Sequence, residues 1–215
     1  MNTMRNPKIP EATIIRLSVY SRFLTQLENK GVTNTSSGQI AEGVGGSSAQ
    51  VRKDLAYFGE FGTRGVGYNV KDLNQNIIKI LGLSKRWKVV IVGAGNLGSA
   101  LTQYKGFKER SFDVIGVFDI DPTRIGSTLN GVSIYPVSKI EDMIKENGVE
   151  IGIIAVPADF AQEVADILVK SGIKAILNFA PVVISVPRGV ELRNVDLTVN
   201  LEVLTYNIEM QRENK

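Results

Sequence analysis

The sequence predicts an N-terminal winged helix-turn-helix domain, followed by a Rossmann-type doubly wound parallel α/β sheet and a C-terminal helix. Three observations carry that prediction. The apolar run Val89-Val90-Ile91-Val92 leads directly into Gly93-Ala94-Gly95-Asn96-Leu97-Gly98, a Gly-x-Gly-x-x-Gly turn after a strand. Two short segments, each opened by Ser-x-x-Gln, precede a glycine-rich stretch near residue 60. The charge is also divided: residues 1–86 carry 12 Lys/Arg against 6 Asp/Glu, whereas residues 87–215 carry 13 against 16. A basic front and a mildly acidic remainder fit one module that meets a polyanion and one that does not. An evenly solvated, merely uneven surface is the plainer alternative for that feature alone. The expected division is 1–84 for the DNA-binding domain, 85–199 for the Rossmann domain and 200–215 for the terminal helix.

Composition narrows the chemistry. With 43% apolar residues in 215 the chain can bury a sizeable core. No apolar run reaches 18 residues and Met1 to Pro10 lacks a signal-type apolar stretch, so a cytoplasmic protein without a membrane partner is expected. Zero cysteine excludes disulfides, thiolate metal sites and a thiol nucleophile. Zero histidine removes the commonest general base and the commonest neutral metal ligand, so catalysis at neutral pH would fall to carboxylates, Lys or Tyr; no catalytic residue and no metal site is assigned.

Along the chain, Pro10 opens a first helix in which Ile14, Leu17, Tyr20, Leu24 and Leu27 recur at helical spacing up to Gly31. Ser36 with Gln39 caps a short helix carrying Ile40, Ala41 and Val44, and Gly45-Gly46 stops it. Ser47 with Gln50 repeats the capping box and opens a third helix with Val51, Leu55 and Phe58 on its buried face. Gln50, Lys53 and Tyr57 share another face with Arg52 beside it, as a recognition helix requires. Gly59 to Tyr68 reads as a wing hairpin with Arg64 at its tip, an arrangement suited to a narrow minor groove. The candidate DNA-contacting residues are Ser47, Gln50, Arg52, Lys53, Tyr57, Arg64, Gly65 and Tyr68. Singly, each of these cations reads equally well as part of a solvated face. Val70 to Leu83 is expected to be a further helix, and Gly82 to Arg86 a linker.

In the second half, Gly93 suits a tight turn, Gly95 a close approach to a pyrophosphate, and Gly98 close helix-to-strand packing. The helix after the turn is expected to run through Ala100, Leu101, Tyr104 and Phe107. Phe112 to Phe118 is a second strand ending at Asp119, placed where a carboxylate takes the adenosine ribose hydroxyls. Asp121-Pro122 looks like an N-cap with proline at the first helical position, which leaves Asp119 for the ribose. A carboxylate there repels a 2′-phosphate and favours NAD over NADP, with Arg124 keeping NADP open. Val132–Tyr135, Ile151–Val156 and Ala175–Phe179 read as strands, and Ile140–Ile144 and Phe160–Val169 as helices. Ligands of such sheets bind beyond the carboxyl ends of the strands, so Ala155, Val156, Pro157, Phe179 and Pro181 join residues 93–98 and Asp119 as candidate cofactor contacts. For Pro157 and Pro181, simple turn punctuation is an equal alternative. The tail from Leu201 spreads its apolar residues around the helix, which suggests burial on several sides and a helix exchanged between the subunits of a homodimer.

The stretch from Gln50 to Tyr68, QVRKDLAYFGEFGTRGVGY, followed by VGAGNLG at 92–98 and FDID at 118–121, resembles the Rex family of bacterial redox-sensing transcriptional repressors over nearly the whole chain. The first segment is specific, whereas the glycine turn is shared with many dehydrogenases. The resemblance implies a homodimer that binds palindromic operator DNA and is released when NADH, with NAD⁺ as a weak competitor, occupies the Rossmann sites. It also implies a ligand-responsive network, matched here by Arg16, Tyr104 and Asp196. Two rival readings stay open at this point: an NAD-dependent oxidoreductase and a CoA- or nucleotide-binding subunit. Against the first stand the missing histidine and the lack of a substrate domain after the Rossmann unit.

Overall fold

The structure, a computed structural model, describes residues 9–63 and 65–213. It divides into two compact units, Met1–Lys85 and Arg86–Lys215.

In the first unit the sequence signals become α1 (Glu11–Asn29), β1 (Asn34–Thr35), α2 (Ser37–Val44), α3 (Ser48–Ala56), β2 (Tyr68–Asn69) and α4 (Val70–Ile80). Pro10 precedes α1, where its missing N–H costs no intrahelical bond. Ser36 and Gln39 form the complete capping box before α2. Leu17, Tyr20 and Leu24 of α1 close over Ile40 and Ala41 of α2, Val51 and Leu55 of α3, and Leu73 and Ile77 of α4. At Gly43 any Cβ would lie 2.1 Å from the Phe23 ring, so the glycine sets how closely α1 and α2 approach.

Two expectations for this unit need correction. Ser47 Oγ accepts from the Gln50 N–H, but the Gln50 side chain turns to Asp54 instead of returning to the cap, so the second box is only half made. The wing is smaller than a full hairpin. A turn closes between Thr63 and Gly67, and β2 then pairs antiparallel with β1. At Gly67, φ is +95° and a Cβ would meet the Thr35 carbonyl at 2.4 Å, so glycine is required where the turn meets β1. Arg64 lies outside the described residues.

The second unit comprises β3 (Trp87–Val92), α5 (Asn96–Gln103), α6 (Lys105–Glu109), β4 (Phe112–Asp119), β5 (Thr128–Leu129), β6 (Val132–Pro136), α7 (Ile140–Asn147), β7 (Ile151–Ile154), α8 (Ala158–Lys170), β8 (Ala175–Asn178), β9 (Glu191–Asn194) and α9 (Leu197–Glu213). The sheet order is β5-β6-β4-β3-β7-β8-β9, parallel except for the short β5 edge. Leaving out β5, this is the 3-2-1-4-5-6 order of a doubly wound dinucleotide fold, with the reversal between β3 and β7. The sheet is covered on both faces, and alternate residues of β3 serve opposite layers. Val90 and Val92 pack with Ile140, Ile144, Ala165 and Leu168, while Val89 and Ile91 pack with Val117, Ile153, Leu101 and Phe107.

Three local features depart from the sequence reading. The helix through Phe107 is broken at Tyr104, whose ψ of 101° ends α5 before α6 begins. Asp121 caps no helix: its Oδ1 accepts from the N–H and hydroxyl of Thr123, an Asx-turn that leads towards β5. The terminal helix starts at Leu197, three residues before the expected point, and none of its described side chains is buried within the chain.

Candidate dinucleotide and nucleic-acid sites

The Gly93–Gly98 turn gives its three glycines three distinct tasks. Gly93 has φ +106°, and a Cβ there would meet the Ala155 carbonyl at 2.4 Å. At Gly98 a Cβ would lie 1.8 Å from the Gly93 carbonyl, so only glycine lets α5 start so close to β3. Gly95 instead faces open space, with Arg124 Nη1 at 4.0 Å as its nearest neighbour. Its bare backbone is where a diphosphate can approach, at the N-terminus of α5.

Asp119 ends β4 beside this turn with its side chain only 12% exposed. Its Oδ2 accepts from the Ala94 N–H (2.6 Å) and its Oδ1 from the Asp121 N–H (2.9 Å). Each carboxylate oxygen retains accepting capacity, so Asp119 can orient the turn and still receive ribose hydroxyls. Arg124 lies 3.8 Å from Asp119 Oδ2 and 3.3 Å from Asp121 Oδ2, a cation held between two carboxylates.

The other expected cofactor residues line up across the same end of the sheet. The Ala155 N–H donates to the Val92 carbonyl, Phe179 to Ile154, and Gly93 to Phe118. Pro157 precedes α8, with Val156 just ahead of it; Asn96 and Leu97 begin α5. Pro181 is exposed, and Val183 beside it is 87% exposed. Asn178, read from the sequence as the start of a turn near the cofactor but not as a site residue, fixes this rim. Buried Asn178 donates to the Ala180 and Val182 carbonyls and to Asn194 Oδ1, and accepts from the Ala180 N–H. Its only signal in sequence was an amide at the end of an apolar strand.

On the first unit, Lys53, Arg52 and Tyr57 of the α3 segment are exposed, and Ser47 stands at its N-cap. Arg52 Nη1 donates to the Ser37 hydroxyl (3.0 Å), and a groove beside them is lined by Ser37, Arg52, Thr63, Gly65 and Tyr68. Ser37 was not anticipated. Asp54 was missed too, and it organises the whole face: its fully buried carboxylate accepts from Thr13, Arg16, Tyr20 and Gln50. Burial pushes this carboxyl up, but the four donors outweigh it and bring it down to about 2. The Tyr20 phenol is pushed up to about 12, by burial and then by its donation to Asp54. Arg16, held by the Asp54 hydrogen bond, is raised above its ordinary range.

The three residues implied as a network are engaged separately in this chain. Arg16 is satisfied by Asp54, the Tyr104 ring packs edge-on against Phe107 at 5.1 Å, and Asp196 Oδ1 accepts from the Thr198 N–H at the start of α9. Among the described residues no Asp/Glu cluster could hold a metal ion, and no helix is long and apolar enough to cross a membrane.

Fold and site together define a winged-helix protein carrying a dinucleotide-type Rossmann unit. Comparison with known proteins makes this specific. Residues 8–56 match the family described as "Putative DNA-binding protein N-terminus", and residues 84–182 the family described as "CoA binding domain". The chain is 65% identical to the redox-sensing transcriptional repressor Rex of Desulfitobacterium hafniense, covering 97% of this chain and all of that one. Among solved structures, RSP in complex with β-NAD⁺ and operator DNA superposes with a TM-score of 0.90 at 42% identity, covering 95% of this chain and 94% of that one. RSP in complex with β-NADH gives 0.86 at 40% identity, covering 97% and 99%. The chain belongs to the Rex family of redox-sensing transcriptional repressors.

Proposed function

We propose that this chain represses transcription by gripping operator DNA through α3 and the wing turn, and lets go when NADH enters the crevice at the carboxyl end of the sheet. One observation carries the reading: a single chain holds both an α3 face of exposed Arg52, Lys53 and Tyr57 and a glycine turn open to a diphosphate only at Gly95. The relative RSP, solved with operator DNA, β-NAD⁺ and β-NADH, supports both halves and favours a nicotinamide coenzyme over CoA.

The mechanism is linkage. NADH releases DNA only by binding the released arrangement more tightly than the DNA-bound one. A coupling of about 1–3 kcal/mol corresponds to a roughly 5- to 150-fold change in operator affinity. Asp119 and Ala94 receive the adenosine ribose and the Gly95 backbone the diphosphate. The nicotinamide end then meets Ala155, Val156, Pro157, Phe179 and Pro181. Apolar walls disfavour the charged oxidised ring relative to the neutral reduced one, so the protein weighs NADH against NAD⁺ without any chemistry. The Asp119 carboxylate disfavours a 2′-phosphate, and Arg124 is already claimed by two carboxylates.

The working form is a homodimer. Leu201, Val203, Leu204, Tyr206 and Ile208 of α9 are each about half exposed or more, an apolar surface that a second copy would cover. Two-fold symmetry would also set two α3 helices on two half-sites. The test is a gel shift with a duplex selected by the protein from a random library, run with and without NADH. NADH should abolish the shifted band at a protein level that otherwise saturates it. Equal retention in saturating NADH and in none overturns the reading.

A further inference from the structure

Every group that touches the Asp54 carboxylate is a donor. Thr13 Oγ1 (3.1 Å), Arg16 Nη2 (2.7 Å) and Gln50 Nε2 (2.9 Å) reach Oδ1, while Arg16 Nε (2.6 Å) and the Tyr20 hydroxyl (2.8 Å) reach Oδ2. A carboxylate only accepts, so the Gln50 atom that faces it has to be the amide NH₂; a flipped amide would set oxygen against oxygen. Gln50 is the third residue of α3, in the first turn, where a recognition helix reaches base edges, and it is half-buried. Its backbone N–H is spent on Ser47 Oγ and one of its two side-chain N–H groups on Asp54, which turns the nitrogen towards the buried carboxylate and leaves the carbonyl Oε1 as the end to offer outward.

An unrestrained glutamine reads adenine at two points, accepting from N6 and donating to N7. That mode needs the nitrogen at the base edge, whereas here it is drawn to a buried carboxylate that takes one of its two N–H groups. We propose that Asp54 is a positioning residue that fixes the Gln50 amide with its carbonyl outward, so that α3 reads one base pair per half-site by accepting from an exocyclic amino group, N6 of adenine or N4 of cytosine. The inference rests on the operator-binding reading and adds to it how one contact is read. Arg16, Tyr20 and Thr13 of α1 anchor the carboxylate, which ties the angle of α3 and the orientation of Gln50 to α1.

The experiment starts from a duplex selected by the full-length wild-type protein. The base pair at which Gln50→Ala loses its preference is then altered one functional group at a time. One duplex lacks the exocyclic amine, and another carries carbon in place of the purine N7. Removing the amine should weaken wild type roughly three- to tenfold, the worth of one hydrogen bond, and leave Gln50→Ala unaffected. Replacing N7 should leave wild type unchanged. Asp54→Leu removes every acceptor from this site and frees the Gln50 amide. Able now to donate to N7 as well as to accept from the amine, it should gain an N7-replacement penalty that wild type lacks, while its salt slope, set by phosphate contacts, stays as in wild type. Should Asp54→Leu fail to fold by circular dichroism, the wild-type and Gln50→Ala pair decides alone. The proposal is overturned by a Gln50-dependent penalty at N7 in the wild-type protein, by a Gln50→Ala protein that keeps every base preference, or by a folded Asp54→Leu protein as indifferent to N7 as wild type. A wild-type protein that selects no sequence at all removes the operator reading first, and this inference with it.

Discussion

The carboxylates show how a residue's role is set by what surrounds it. Asp54 has its folded value lowered from the ordinary 3.8 to about 2, so its ion pair and hydrogen bonds add stability above pH ~4 that fades as pH falls towards 2. The size of the effect is about 2 kcal/mol. Tyr20, raised from 10.0 to about 12, acts oppositely: its contribution is complete below pH ~10 and is lost as pH rises through 12. Thermal melts across pH should therefore show a plateau with both limbs falling, and Asp54→Asn should lose the acid limb. Asp119 has its proposed role on the ligand instead. Asp119→Ala should weaken NADH roughly tenfold or more by calorimetry, as for a lost charge-assisted hydrogen bond, while operator affinity without NADH stays unchanged. The place of Asp119 beside the glycine turn was legible from sequence because its distance from that turn follows from the length of one helix and one strand. Asp54 was not, because its donors Thr13 and Arg16 lie 41 and 38 residues away.

At the scale of elements, the glycine turn separates shape from binding. Gly98→Ala would push a Cβ to 1.8 Å from a backbone carbonyl, so α5 must move off β3. The variant should lose about 1–3 kcal/mol of stability and NADH binding together. Gly95→Ala has open space and a φ of −69° that any residue adopts. It should melt within about 0.5 kcal/mol of wild type and still bind NADH poorly, since the methyl occupies the diphosphate's place. Differential scanning fluorimetry with and without NADH distinguishes the two. The strands of the parallel sheet were readable because burial on both faces leaves near-continuous apolar runs such as Val89–Val92. The break at Tyr104 was hidden because the apolar spacing runs on through it. Gly106 has room for the Tyr104 ring, 2.6 Å from where a Cβ would sit, and no periodicity records that accommodation. The Asp121 turn misled for a related reason: Asp-Pro opens helices and Asx-turns alike, and here Thr123 supplies two donors to the carboxylate. β9, with the polar sequence Glu-Leu-Arg-Asn, lies at the sheet edge, where the alternation that marks buried strands is weak.

For the whole molecule, the charge division follows the two units: the basic residues concentrate in the one that carries α3, the mildly acidic balance in the one that carries the crevice. That much was visible from counting. The fate of α9 was not, because apolar residues spread around a helix say that it is covered but not by what. Removing residues 197–215 should leave a monomer by light scattering at micromolar concentration, with weakened operator binding, whereas the intact chain should run as a dimer. A monomeric intact chain would sink the exchanged-helix arrangement.

The crevice floor has one more implication. Gly93, Ala155 and Phe179 each donate to a carbonyl at or next to the end of the neighbouring strand, so three loops leave the sheet stitched into one row. Such a base is finished before any coenzyme arrives, which keeps the entropic cost of capture low. It also leaves little room for the base itself to flex, so a signal from a bound coenzyme is expected to begin at side chains outside that row, exposed ones such as Val183 and Ile120. Sensitivity would then be tuned by changing those side chains, while the capacity to hold the molecule stays with the base.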